Sequence, residues 1–265
     1  MSVERTIILT GLSYEYIRLH ENLVCNLKMV GGFDKLISVA FDEQTFHWGV
    51  AHKLDMIRLS HSSLQNTLSE DVRYGTSAYK LNTKLKSLAV LTILNAGYSV
   101  IFTDVDVVWF TNPFEALQPY WITDFIIQHD SKHDSLTKFN SGLYGVHSTS
   151  DTTSAFERIV AAALHSNSSE QPHFQHILCQ NRTLRGDCRY QSTVIKVLPS
   201  ETFPNGGWRL NNNSTFFQLG SESFKKLTKK PLHAVHNNWI VGIEQKIRRQ
   251  QEHHLWWVQI SSFCA

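Results

Sequence analysis

The apolar run at residues 98–103 (YSVIFT) constrains the fold of this chain more than any other sequence feature. It is short and carries no charge, which is typical of a strand that is covered on both faces. Before it, residues 78–95 place Leu81 and Leu85 on one helical stripe, and Gly97 ends that helix. A long helix that leads directly into a buried strand predicts an α/β fold.

The beginning of the chain predicts the same architecture. Residues 6–10 form a predicted strand, 14–29 a helix and 35–41 a second strand, which together make the β-α-β unit of a parallel sheet. Other segments show weaker periodicity, with strands predicted at 125–128, 142–147, 196–198 and 233–235 and helices at 154–164 and 244–252.

Two stretches show no such pattern. Residues 46–76 are mixed in character, and residues 166–191 are polar and predict loops. Because loops on an α/β scaffold carry many of the substrate contacts, we expect these stretches to shape a binding site. No repeat or low-complexity linker divides the chain, so residues 1–265 are predicted to form one domain.

The charge balance excludes one large class of function. Lys and Arg total 25 against 23 Asp and Glu, so the net charge of +2 offers no strongly basic surface for nucleic acid. No apolar run reaches the roughly 18 residues of a membrane-spanning helix, and no secretion signal is visible. We therefore expect neither a nucleic-acid partner nor a membrane span in this chain.

Cysteines and glycosylation sequons indicate a compartment. Cys179 and Cys188 have a spacing that a local disulfide can close, and no Cys/His pair has the spacing of zinc ligands. Sequons of the form Asn-x-Ser/Thr occur at Asn167, Asn181, Asn212 and Asn213. A disulfide together with sequons favours the lumen of the secretory pathway.

Two carboxylates, Asp104 and Asp106, follow the apolar strand directly. Residues i and i+2 of an extended segment point to the same side, and open α/β sheets bind ligands beyond the carboxyl ends of their strands. Converging carboxylates repel unless a cation lies between them, and hard oxygen ligands suit Mg²⁺ or Mn²⁺. A diphosphate could complete such a site. An Asp-x-Asp pair is expected about once by chance in such a chain, so two capping aspartates are the alternative.

The same residues also fit the nucleophile motif of haloacid-dehalogenase-type phosphatases, Asp-x-Asp-x-Val. In those enzymes the first Asp attacks phosphate and the second acts as acid and base. That motif usually opens its fold on the first strand, whereas a β-α-β unit and a long helix precede it here. The later Gly-Asp-x-x-x-Asp is also missing, since residues 186–191 read GDCRYQ.

Motifs along nearly the whole chain resemble the nucleotide-diphospho-sugar transferase family, which includes plant cell-wall xylosyl-, arabinosyl- and galactosyltransferases. The extended Asp segment at 97–114 and the His-Asn-Asn-Trp segment at 236–239 are its specific parts; weaker ones are Asp124, Asp130, the NSGLYGV of 140–146 and the FPNG of 203–206. The resemblance implies a GT-A fold, with a Rossmann-like, mostly parallel sheet flanked by helices and an irregular C-terminal half. It also implies a Golgi-lumen enzyme that transfers a sugar from a nucleotide-sugar donor, usually with Mn²⁺.

The resemblance further implies roles for single residues. Asp104, Asp106 and His236 would hold the metal, although a buried His bonded to backbone is the alternative for His236. Gly242 and Lys246 would lie beside the diphosphate, because glycine permits close backbone approach and lysine supplies positive charge. Further donor-binding roles fall on Lys86, Asp130, Asn140, Gly142 and Asn237.

One pair departs from the family pattern. An Asp-Gln pair is expected after the Asn-x-Gly strand, whereas this chain has Glu170-Gln171. The resemblance assigns both to the catalytic centre, with Gln171 beside the oxocarbenium-like carbon and Glu170 accepting sugar hydroxyls. The longer Glu side chain keeps open a non-catalytic nucleotide-sugar-binding protein on the same fold. UDP-xylose, UDP-galactose and UDP-arabinose all remain possible donors, with a glycan or glycoprotein acceptor and retention at the anomeric carbon.

Overall fold

A computed structural model describes residues 5–59, 75–130, 138–179, 187–210, 217–219, 226–228 and 231–258. An eight-stranded sheet forms its centre, with strands β1 Thr6–Leu12, β2 Leu36–Ala40, β3 Met56–Arg58, β4 Ser99–Thr103, β6 Phe125–His129, β7 Phe139–Val146, β8 Cys188–Tyr190 and β9 Thr193–Val197. Two small sheets contain β5 Val107–Trp109 with β13 Ala234–His236, and β10 Arg209–Leu210 with β11 Phe217–Leu219 and β12 Lys226–Thr228.

The central sheet has the order β3-β2-β1-β4-β7-β6-β9-β8. The strands β3, β2, β1 and β4 are parallel to one another, and β6 is parallel to β9. Between these groups β7 runs antiparallel to both β4 and β6. This is the GT-A arrangement, and the β-α-β start predicted from the sequence is its first unit.

Seven α-helices flank the sheets in the described ranges: α1 Ile17–Val30, α2 Glu43–Ala51, α3 Ser77–Asn95, α4 Pro113–Leu117, α5 Ser150–Leu164, α6 Gln171–Cys179 and α7 Ile243–Glu252. A short 3-10 turn at Tyr14–Tyr16 precedes α1, so the predicted helix at 14–29 begins as a 3-10 turn. No helix within the described ranges is long and apolar enough to cross a bilayer.

Both faces of the central sheet are buried. On one face Phe102 and Tyr144 pack with residues of α3, α5 and α6, and on the other Ile101 packs with residues of α1 and with Trp109 of β5. Every residue of β4 is buried. The central strand predicted from residues 98–103 is therefore confirmed, and it ends at the Asp pair.

The loops predicted at 166–191 are partly wrong. Residues 171–179 form α6 and residues 188–190 form β8, while 180–186 lie outside the described residues. The helix was missed because its stripe is short, and Phe174, Ile177 and Leu178 are buried only through contacts with the central core. In the stretch 46–76, α2 and β3 are described and 60–74 are not. The Cys179–Cys188 disulfide predicted from spacing is present.

Helix α1 holds the second small sheet in place. The Asn26 carboxamide bonds both to the Trp109 carbonyl and to the Trp109 amide, each at 2.7 Å, so it continues the ladder of β5. On its other side β5 pairs antiparallel with β13. β5 therefore lies between α1 and β13, and this packing fixes the strand that ends in His236 against the segment that follows β4.

His20 of α1 makes the stability of the fold sensitive to acid. It is fully buried, 2.7 Å from Ser38 Oγ, and burial lowers its pKa from 6.5 to about 4. The unfolded chain therefore binds more protons between these values, and stability should fall as pH drops from about 6.5 to about 4, by roughly 3 kcal/mol.

Urea unfolding of the wild type and His20→Gln at pH 7, 5.5 and 4 measures this loss. The variant should lose about 3 kcal/mol less than the wild type across that range. Equal losses in both proteins would contradict this assignment.

Candidate active site

The Asp pair lies in the turn that joins β4 to β5. The Asp104 amide donates to the Gly142 carbonyl at 2.7 Å, and the Val107 amide donates to the Asp104 carbonyl at 3.1 Å. Between the two carboxylates, Val105 packs into an apolar cluster with residues of β1, α1 and α7. The carboxylates of Asp104 and Asp106 converge, as predicted, but they do so through this turn and not through an extended backbone.

β13 brings His236 to the two carboxylates. His236 lies opposite Val107 in the β5–β13 pair, and its Nε2 is 3.2 Å from Asp106 Oδ1 and 3.7 Å from Asp104 Oδ2. One potential ligand atom from each of the three residues lies within 4.8 Å of the others. A metal bound at about 2.1 Å holds adjacent ligands about 3 Å apart, so this cluster has the right size.

Each carboxylate also has an ammonium partner. Lys86 Nζ donates to Asp104 Oδ1 at 2.9 Å, and Lys246 Nζ donates to Asp106 Oδ2. Burial by itself would lower the pKa of Lys86, but Asp104 and Glu170 outweigh it and raise that pKa above its usual range. Burial by itself would raise the pKa of Asp106, but Lys246 and His236 outweigh it and hold that pKa well below its usual range. The Lys86 ammonium and the Asp106 carboxylate are therefore charged at neutral pH.

These lysines remove one of the reasons for expecting a metal at the Asp pair. Repulsion between the carboxylates is already compensated by two ammonium groups, so repulsion alone does not require a cation. The stronger observation is His236 Nε2, a buried nitrogen with no well-aligned hydrogen-bond partner among the described residues, flanked by oxygens of the Asp pair. One imidazole nitrogen and two carboxylates around one point form a donor set suited to Mn²⁺ or Mg²⁺.

Gly142 of β7 touches the same point. A Cβ at this position would lie 2.4 Å from Asp104 Oδ2, 2.4 Å from His236 Cε1 and 2.9 Å from Asn140 Oδ1. Real Cβ atoms do not approach other atoms so closely, so only glycine fits here without displacing the cluster. The family resemblance assigned Gly142 to donor binding, and the structure places it beside Asp104 and His236.

Asp130 joins three parts of the site. Its Oδ1 accepts from Asn140 Nδ2 at 3.0 Å, Asn238 Nδ2 at 2.6 Å and Trp239 Nε1 at 3.1 Å. Its Oδ2 accepts from Gln171 Nε2 at 3.0 Å. The carboxylate thus connects β7, the loop after β13 and the start of α6. Asn140 is oriented at its other end as well, because its Oδ1 accepts from the Gly142 amide at 2.8 Å.

Glu170 and Gln171 are held at the site by Ser141. Ser141 Oγ donates to Glu170 Oε1 at 2.7 Å, and the Ser141 amide donates to Gln171 Oε1 at 3.2 Å. Glu170 is only 1% exposed and its Oε1 lies 3.7 Å from Lys86 Nζ, so it is not a solvated loop residue. The departure from Asp to Glu is accommodated as a buried ion pair beside Asp104.

Two predicted donor-binding residues occupy different positions relative to the Asp pair. Asn237 is fully buried and donates from Nδ2 to the Asp106 carbonyl at 2.9 Å, so it supports the Asp turn from behind and has no surface open to a donor. Gly242 has φ +97° and is the N-cap of α7, and the Lys246 amide in the first turn donates to its carbonyl. Its conformation sets the direction of the helix that carries Lys246 to Asp106.

Residues 31–250 match the sequence profile of the nucleotide-diphospho-sugar transferases. The match covers 220 of the 265 residues, or 83% of the chain. The chain belongs to this family. Among curated proteins, it is 31% identical over 263 residues to the beta-arabinofuranosyltransferase RAY1 of Arabidopsis thaliana, covering 95% of this chain and 48% of that protein. It is 24% identical to the UDP-D-xylose:L-fucose alpha-1,3-D-xylosyltransferase 3 of the same plant, covering 96% of this chain and 67% of that protein.

A solved structure supports the fold. The bifunctional glycosyltransferase WbbM aligns with 97% of this chain and 52% of its own, with a TM-score of 0.53 and 13% identity. The chain spans about half the length of RAY1 and of WbbM. Family membership and the position of the Asp pair after the fourth strand of the chain remove the phosphatase alternative.

Sequence reasoning missed several residues of the site. Gln128, Ser141, Asn238 and Trp239 all bond to the predicted residues. Gln128 had a detectable signal, since it is the one strongly polar residue of the predicted strand at 125–128. A polar side chain in a buried strand needs an internal partner. Ser141 stands between two residues that the motif already named.

Proposed function

We propose that this chain is a metal-dependent glycosyltransferase that moves a sugar from a nucleoside diphosphate to an acceptor hydroxyl. The observation that carries the proposal is the convergence of Asp104, Asp106 and His236 at one point, with Lys86 and Lys246 on either side. The carboxylates and the imidazole suit a metal cation, and the lysines suit the negatively charged diphosphate bound to that metal. Family membership supplies the nucleotide sugar as the donor class.

Asp104, Asp106 and His236 would hold Mn²⁺ or Mg²⁺, which would neutralise charge on the departing diphosphate. Lys246 lies in the first turn of α7 and would exchange its bond to Asp106 for one to a phosphate oxygen. Gly242 at the start of this helix would let backbone amides approach the same phosphates. Lys86, held between Asp104 and Glu170, would keep the Asp104 carboxylate oriented.

The remaining residues would form the sugar side of the site. Asn140 and the Asp130 Oδ2 atom, which accepts one hydrogen bond where Oδ1 accepts three, would bind sugar hydroxyls. Gln171 would lie beside the anomeric carbon. The Asp130 carboxylate accepts four hydrogen bonds and the Glu170 carboxylate is buried, so neither is free to attack carbon. With retention expected from the family resemblance, this favours a front-face route over a covalent intermediate, and a diphosphate oxygen would take the proton of the acceptor hydroxyl.

We infer the donor class from the family and the compartment from a disulfide and a sequon. UDP-xylose, UDP-galactose and UDP-arabinose are the donor candidates, and a glycan or glycoprotein is the acceptor, with residues 1–265 acting as one domain. The Cys179–Cys188 disulfide and the exposed sequon Asn167 support a Golgi or other secretory-pathway lumen. Mapping of glycans on protein from its native source tests this, and an unmodified Asn167, Asn181 and Asn212-Asn213 pair would count against it.

A panel of UDP-sugars tests the proposed activity. UDP release is measured for UDP-xylose, UDP-galactose and UDP-arabinofuranose, with Mn²⁺, with Mg²⁺ and with EDTA. One donor should be consumed with metal and left intact with EDTA. If every donor that binds is left intact with all acceptors tried, the chain is instead a nucleotide-sugar-binding protein on this fold.

A further inference from the structure

The Gln128 side chain is held in one orientation by groups that can only accept. It is fully buried at the end of β6, and its Nε2 donates to the carbonyls of Phe203 and Pro204 at 3.1 and 3.2 Å. Carbonyl oxygens accept hydrogen bonds and cannot donate them. The amide nitrogen of Gln128 must therefore face residues 203–204, and its Oε1 must face the other way.

The Oε1 atom of Gln128 lies 2.8 Å from His236 Nδ1. Because this oxygen only accepts, Nδ1 must carry the hydrogen of that bond. In a neutral imidazole the other nitrogen then presents a lone pair. That nitrogen is Nε2, which faces Asp104 Oδ2 at 3.7 Å and Asp106 Oδ1 at 3.2 Å.

The irregular pairing of β6 with β7 makes this arrangement possible. Ile127 pairs with Tyr144, but the next residue, Gln128, pairs with Asn140, so residues 141–143 of β7 have no partner on β6. Such bulges redirect side chains beside active sites. Gly142 lies in this unpaired stretch, and its lack of a side chain lets the imidazole approach Asp104, since a Cβ there would lie 2.4 Å from His236 Cε1.

We propose that Gln128 is the positioning residue of the metal centre. It sets both the tautomer and the ring orientation of His236, so that Nε2 becomes the coordinating atom. Residues that bond to a ligating His from behind typically change metal affinity by about 10- to 100-fold when they are removed. This inference rests on the metal-binding part of the proposed function and is independent of sugar transfer.

Mn²⁺ titration of the full chain, followed by the electron paramagnetic resonance signal of free Mn²⁺, tests the proposal without any sugar donor. Gln128→Met should weaken Mn²⁺ binding about tenfold or more, because it removes the acceptor while keeping side-chain length. A wild-type affinity for Gln128→Met would overturn the proposal.

Asn205→Ala is the matched control. Asn205 is a buried amide whose Nδ2 donates to the His129 carbonyl at 2.9 Å, so it ties the same strand to the same segment without touching His236. The Asn205→Ala variant should keep the wild-type Mn²⁺ affinity. A loss of affinity equal to that of Gln128→Met would mean that Gln128 acts only by holding the fold.

A double-mutant cycle with His236→Ala separates positioning from packing. Without the imidazole, Gln128→Met should cause no further loss of Mn²⁺ affinity, and an equal loss in both backgrounds would refute the proposal. If Mn²⁺ binds with this pattern but no donor is turned over, the proposed function fails and the inference stands. If the wild type does not bind Mn²⁺, the inference fails.

Discussion

Replacement of Asp104 by Asn should reduce both sugar transfer and donor hydrolysis by about 100-fold or more. The change removes one carboxylate from the Asp104, Asp106 and His236 cluster and leaves Lys86 without its closest partner. Loss of one preorganised charge at a reacting centre typically costs about 100- to 1,000-fold in rate. The Asp104 side chain is 26% exposed, so the fold should tolerate an amide there.

UDP release with and without Mn²⁺ measures the effect, and thermal unfolding checks that the variant is folded. Asp151→Asn is the matched control. Asp151 lies on α5, outside the site, and its carboxylate accepts a hydrogen bond from the Ser192 amide at 3.0 Å. That control should keep wild-type turnover. Full metal-dependent turnover by Asp104→Asn would refute the assigned metal centre.

Replacement of Gly142 by Ala should weaken metal binding strongly through a single methyl group. The new Cβ would lie 2.4 Å from both Asp104 Oδ2 and His236 Cε1, so one metal ligand or the backbone of β7 must move. We expect Mn²⁺ affinity to fall more than about tenfold and turnover about 100-fold. Overpacking at a buried site should also cost about 1–3 kcal/mol of stability.

Mn²⁺ titration and urea unfolding separate these two effects. Gly145→Ala on the same strand is the control, since its Cβ would meet the buried side chain of Ile126 at 2.9 Å and none of Asp104, Asp106 and His236. It should lose stability while keeping its Mn²⁺ affinity. Unchanged Mn²⁺ binding by Gly142→Ala would mean that the cluster is not the metal site.

Much of the fold could be predicted because its elements carry strong local patterns. The apolar run of β4 and the apolar stripe of α3 are both visible in the sequence. In the structure the same residues are buried in the core. The helix at Gln171–Cys179 lacked such a pattern, and its burial depends on residues from α5 and β7. Local periodicity reports burial only where a segment presents a full stripe of its own.

The candidate site was predicted unevenly for a similar reason. Asp104 and Asp106 were found because they lie two residues apart directly after a buried strand, although a turn and not an extended backbone brings their carboxylates together. His236 could be named only through the family resemblance. Asn237 was given a donor-binding role from its place in that motif, but its side chain turns toward the Asp106 carbonyl and is fully buried.

The sequence by itself determined the α/β class, the buried strand that ends at Asp104, the likeness to the transferase family and the residue types available for a metal. Only the tertiary structure decided that Lys86 and Lys246 pair with the Asp carboxylates, that Asp130 binds three elements together, and that Gln128 orients His236. The physical reason is that these contacts join residues far apart in sequence. Their geometry depends on how strands and helices pack, which the periodicity of a single segment does not specify.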